Sequence, residues 1–95
     1  MEIKVKEICG HFAGNKDSAR DIREKYLKKW INEDGIIVLD FSDIDSSTQS
    51  FVHAMLSQLF QVYGEAMLDK FEFKNCNAAV KSLIVTVINY SLQTV

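Results

Sequence analysis

Ile36-Ile37-Val38-Leu39 is an unbroken apolar run, closed by Asp40 and set between two stretches whose apolar residues recur every three or four positions. A run this short and apolar predicts a central strand buried on both faces. Helices on either side of such a strand predict crossover connections, because parallel strands need a long return path. The chain has no proline, so nothing forces a break inside a regular element.

The stretch before the run predicts a helix capped by Asp17 or Ser18 and continuing to about Asn32. Ala19, Ile22, Tyr26, Leu27, Trp30 and Ile31 form its apolar stripe, and Arg20, Arg23, Glu24, Lys25, Lys28 and Lys29 its charged face. Asp34-Gly35 marks a turn into the strand. The stretch after the run predicts a helix from Ser47 or Ser50 to Tyr63, with Val52, Met55, Leu56, Leu59, Phe60 and Tyr63 inward and Gly64 just past its end. Near the N-terminus, Ile3, Val5 and Ile8 alternate with charged residues, which predicts a half-exposed edge strand. Met67 to Phe73 reads as a third strand. Asn75 or Asn77 can then cap a third helix bearing Val80, Leu83, Ile84, Val87 and Ile88. Leu83 to Ile88 is rich in β-branched residues, so a strand competes there, but the helical spacing persists over more than two turns. The expected architecture is a single small α/β domain over residues 1–95 in βαβαβα order, with a mixed or mostly parallel sheet and packed helices.

At 95 residues one hydrophobic core is the expectation. The net charge of −2 supplies no overall field to recruit nucleic acid or anionic membrane. No apolar stretch approaches a membrane span, and MEIKVKEICG lacks a signal peptide's apolar region. Cys9 and Cys76 are far apart and form no C-x-x-C pair, so reduced thiols and a cytoplasmic location are expected.

Chemistry concentrates between Leu39 and Phe51, where the central strand hands over to a helix. Open α/β sheets place their functional groups at that end of a strand. Asp40, Asp43 and Asp45 stand there with Ser42, Ser46, Ser47, Thr48 and Ser50. A helix N-terminus, with its unpaired N–H groups and partial positive charge, would tolerate a phosphate.

A strand ending Leu39-Asp40-Phe41, a polar loop carrying Ile44, and Ser50-Phe51 opening an amphipathic helix resemble the STAS-like domains of unknown function. These are relatives of the STAS domains of anti-sigma factor antagonists. Ser18-Ala19-Arg20, with Ile22 and Leu27 behind it, and Lys74-Asn75-Cys76-Asn77 also fit that pattern. The resemblance implies a STAS-like fold and a non-catalytic, regulatory protein–protein interaction module without cofactor. In the antagonists, a serine at this junction is phosphorylated by a partner kinase with the histidine-kinase-like ATPase fold. The partner implied here is therefore a protein, of that ATPase type or another serine kinase. Counting from Leu39-Asp40-Phe41 transfers the phosphorylated position to Ser50. Matching Asp45-Ser46-Ser47 to the antagonists' Asp-Ser-Ser-Gly transfers it to Ser47, with Thr48 standing in place of the glycine. The implied partner surface is Asp43, Asp45, Ser46, Ser47, Thr48, Ser50 and Phe51.

Other readings compete. Ser, Thr and Asp are preferred helix caps and turn formers for structural reasons alone. Asp40, Asp43 and Asp45 suggest an alternative, a divalent-metal-dependent phosphoryl-transfer or nucleotide-binding domain. Gly10 to Ser18 fails phosphate-loop spacing, and His11 and His53 form no metal-ligand spacing with either cysteine. A third reading is a homodimeric structural partner, joined by an exposed strand edge or the outer face of the third helix.

Overall fold

The computed structural model describes residues 1–93. Strand β1 (Glu2–Lys4) leads into a short helix α1 (Val5–Cys9), and β2 (Phe12–Ala13) follows. Helix α2, residues 16–30, joins Lys16–Ile22, a π-helical turn at Arg23–Leu27, and Lys28–Trp30. Strand β3 (Ile37–Asp40) and the two-residue β4 (Ser46–Ser47) come next. Helix α3, residues 49–63, is likewise built from Gln49–Val52, a π-helical turn at His53–Ser57, and Gln58–Tyr63. Helix α4 (Ala66–Lys70), strand β5 (Phe71–Lys74) and helix α5 (Ala78–Gln93) complete the order.

The main sheet has the order β1-β3-β5, and both pairings are parallel. The apolar run is thus the central strand, and β1 lies at an edge. Ile3 pairs with Leu39 and Leu39 with Phe73, while Ile37 pairs with Phe71. Ile3, Ile37, Leu39 and Phe71 are buried, and the intervening Glu2, Lys4, Glu72 and Lys74 are exposed. Period-two alternation therefore turns one sheet face to the helices and leaves the other open. This corrects the expectation of a central strand buried on both faces: Val38 is half-buried, and Ile36 lies outside the strand at 52% exposure.

Helix α3 runs through the middle of the helical layer, with α2 on one side and α5 on the other. Its inward residues Phe51, Val52, Met55, Leu56, Leu59 and Phe60 are all buried, whereas Tyr63, expected in that stripe, is exposed in the last turn. Phe60 reaches the sheet, its ring 5.8 Å from that of Phe71. In α2 the π-helical turn inserts one residue, so Leu27 follows Ile22 into the core and Tyr26 is pushed outward onto Trp30. Gly64 closes α3 at φ 71°, where any side chain would be strained. The β-branched stretch Leu83–Ile88 is helical, inside α5. Where α5 packs on α3, the buried Ser91 hydroxyl lies 2.8 Å from that of Ser57 and also donates to the Val87 carbonyl.

Three expected boundaries move. Residues 5–9 are helical, because charged positions follow β1 and only Val5 among them is buried. Residues 66–70 form α4, and the third strand begins only at Phe71, where burial and alternation resume. β2 and β4, which had no counterpart in the expected order, pair in parallel through Phe12–Ser46 and Ala13–Ser47. Two-residue strands carry too little periodicity to be read. Among the described residues no helix is long and apolar enough to cross a membrane.

Candidate functional site

The loop after β3 is tied down along its length. Asp40 is buried at the end of the strand, and its Oδ1 accepts from Ser42 N–H (2.9 Å), Ser42 Oγ (2.6 Å) and Asn75 Nδ2 (3.0 Å). Asn75 sits at φ 61°, a left-handed conformation that asparagine tolerates, and also donates to Ser42 Oγ. These donors hold the Asp40 carboxyl down at about 2, led by the Ser42 hydroxyl and then Asn75, with Lys74 adding a smaller effect. Asp43, also left-handed at φ 61°, faces Lys6 at 3.4 Å, and its carbonyl accepts from the Nδ1–H tautomer of His11. Asn77 donates to the carbonyls of Ile44 and Asp45 while its Oδ1 caps α5 through Val80 N–H.

The β2–β4 pair then fastens this loop to the one before α2. Asp45 N–H donates to His11 and Thr48 N–H to Ala13, and Ser47 Oγ donates to the same Ala13 carbonyl at 2.6 Å. Thr48 is the cap of α3, accepting from Phe51 N–H at 3.1 Å. Asn15 does the same for α2, accepting from Asp17 and Ser18, and so caps the helix ahead of both expected caps. Replacing Thr48 with alanine is expected to lower stability by about 1 kcal/mol. A thermal melt would register this as a fall of roughly 4–8 °C for a domain of this size.

These contacts separate the two serines transferred from the antagonists. Ser47 is half-buried, and its hydroxyl is spent on the β2–β4 junction. Ser50 is exposed in the first turn of α3. It lines a shallow cleft of about 340 Å³ with Lys16, Gln49, His53 and Ala54, none of them acidic. Asp43, Asp45 and Ser46 are exposed on the same loop, and Thr48 is half-buried. Phe51 is a correction to the expected surface: it is fully buried among core side chains, because position 51 starts the inward stripe of α3.

Asp40, Asp43 and Asp45 are not all gathered into one site: Asp40 and Asp43 line one cleft with Ser42, Lys4 and Lys6, and Asp45 is not part of it. Asp40 turns to Ser42 and Asn75, and Asp43 to Lys6. Among the described residues no group of three or more His, Cys, Asp or Glu is placed to hold a metal ion. The basic face of α2 is locally paired: Arg20 with Asp17, Arg23 and Lys28 with Glu24, and Lys25 with Asp21. Arg23 also reaches across to the Ala54 carbonyl at 2.7 Å. Cys9 and Cys76 are separate, half-buried thiols, and burial pushes both up and away from the reactive thiolate form.

A three-stranded parallel sheet carrying helices on one face, with a polar strand-to-helix junction at its centre, defines a small α/β module of the STAS-like kind. The family model described as a STAS-like domain of unknown function matches residues 18–81, and the chain belongs to that family. The match covers α2 from Ser18 onward, β3, the tied loop, α3, α4, β5 and the first turn of α5. No curated protein and no solved structure matches the chain.

Proposed function

We propose that this chain is a non-catalytic regulatory module that binds a protein partner in the cytoplasm through the exposed part of its strand-to-helix junction. The surface is Asp43, Asp45, Ser46 and Ser50, with Thr48 and Ser47 holding it in shape. The observation that carries this reading is the contrast between the two serines: one hydroxyl is tied to Ala13, and the other is exposed at the start of a helix. A phosphorylated Ser50 would sit near the positive end of α3, beside Lys16 and His53, so the added charge is stabilised locally. Phosphorylating Ser47 would instead break its bond to Ala13 and unsettle the β2–β4 pair. A serine kinase, with the histidine-kinase-like ATPases as one type, is the partner class this chemistry fits.

The test is phosphopeptide mapping of the chain purified from its native cells. The expected result is phosphate on Ser50 and none on Ser47. Uniformly unmodified protein would remove the switch and leave a constitutive binding surface. Phosphate confined to Ser47 would overturn the assignment. A Ser50→Asp variant is expected to fold as wild type, with a slightly higher melting temperature because an anionic side chain in the first turn of a helix is favourable.

A further inference from the structure

Strand β5 is the last of the main sheet, and among the described residues no strand pairs with its outer edge. The bond from Phe41 N–H to the Lys74 carbonyl, with the β3–β5 register, sets which groups point where. Glu72 and Lys74 turn their amides and carbonyls towards β3, so Phe71 and Phe73 turn theirs away. The Phe71 N–H is engaged by the Met67 carbonyl, which makes Phe73 the edge residue with both groups directed outward. Side chains alternate across the strand. Phe71 and Phe73 face the helices, and Glu72 and Lys74 are exposed on the open face.

This strand is complementary to itself. A second copy laid antiparallel, on a twofold axis through Phe73, would exchange both Phe73 hydrogen bonds with its mate. The same register sets Glu72 opposite Lys74 of the second copy, and Lys74 opposite Glu72, so opposite charges face each other twice. Moving the axis to Glu72 or Lys74 would set like charges opposite each other and aim residues whose amides are used by β3. On the helix side, an apolar groove of about 430 Å³ runs beside this edge, lined by Leu68, Phe73, Ile84 and Val85 among others. Leu68 and Val85 are 50% and 48% exposed, large for aliphatic side chains beside an open strand.

We infer that β5 is a self-association edge, joining two copies of this chain into one sheet with three strands from each copy. The Glu72–Lys74 pairs fix its register on the open face, and Phe73, Leu68 and Val85 close it on the helix face. This surface shares no residue with the Ser50 junction, so the inference stands or falls independently of the proposed switch.

Sedimentation velocity on the full chain, from about 1 µM to about 500 µM, is the test, since that range brackets weak homodimer affinities. Wild type is expected to shift from monomer to dimer with concentration. Glu72→Lys alone and Lys74→Glu alone each replace two attractive pairs with two repulsive ones, and each is expected to raise Kd about tenfold. The double variant restores opposite charges across the axis and is expected to return Kd to the wild-type value. Circular dichroism and melting temperature verify that each variant is folded. A wild type that stays monomeric throughout overturns the inference. So does a dimer indifferent to the single swaps, or one that the double variant weakens further.

Discussion

Replacing Phe51 with alanine is expected to destabilise the domain by about 3–5 kcal/mol, the range for deleting a fully buried phenylalanine. The ring is wholly inaccessible and lies in the core cluster that joins α3 to α2, α5 and the sheet. A domain of this size has a total stability of about 5–15 kcal/mol, so the variant would lose a large share of it. Urea unfolding measures the loss directly. The experiment also distinguishes the packed Phe51 seen here from the surface contact that its place beside Ser50 suggests in the sequence. An unchanged midpoint would mean that the ring faces solvent and that the start of α3 is differently oriented.

The second large effect belongs to Asp40. Its alanine variant would leave Ser42 N–H, Ser42 Oγ and Asn75 Nδ2 without their acceptor at the junction of β3 and β5. The expected loss is about 2–3 kcal/mol, because a buried charged acceptor serving several donors is removed at once. The pH dependence gives a sharper test. The carboxyl lies at about 2 in the fold against an ordinary 3.8, so the unfolded chain binds the proton more readily. Its stabilisation is therefore fully present above about pH 5 and is lost as pH falls through the folded value near 2. That window amounts to about 2 kcal/mol, roughly half of it gone by about pH 3. Asp40→Asn, which keeps an acceptor but cannot ionise, is expected to lie closer to wild type at pH 3 than at pH 7 in denaturant midpoints. A gap that stays constant across that range would show that the carboxylate is not held by these donors.

Legibility in the sequence followed periodicity. Ile37 to Leu39 is readable as a strand from its apolar run but not in which face it buries, whereas the stripes of α3 and α5 are readable because repeated apolar spacing reports the buried face. The β-branched run at Leu83–Ile88 was resolved the same way, since spacing outlasted local preference. Boundaries were less legible. Val5 to Cys9 and Ala66 to Lys70 are single-turn helices next to strands, too short to show a period. The π-helical turn at Arg23–Leu27, which exchanges Tyr26 for Leu27 in the core, leaves no mark in a pattern that places both residues in the stripe.

At the junction, residue types announced polar chemistry but could not assign it. Ser47 and Ser50 are equivalent as letters, and only the β2–β4 pair, which brings residue 13 to residue 47, separates a structural hydroxyl from an exposed one. Asp40, Asp43 and Asp45 read as one acidic cluster, yet Asn75 and Lys6 draw the first two towards different partners. The sequence by itself determined the three main strand-and-helix units and the central position of the apolar run, because those are written in local spacing, while short motifs such as Leu39-Asp40-Phe41 carried the resemblance to STAS-like domains. Tertiary structure alone decided which hydroxyl is exposed, which sheet face stays open and which two strands form the sheet's edges, because each depends on contacts between residues more than thirty positions apart.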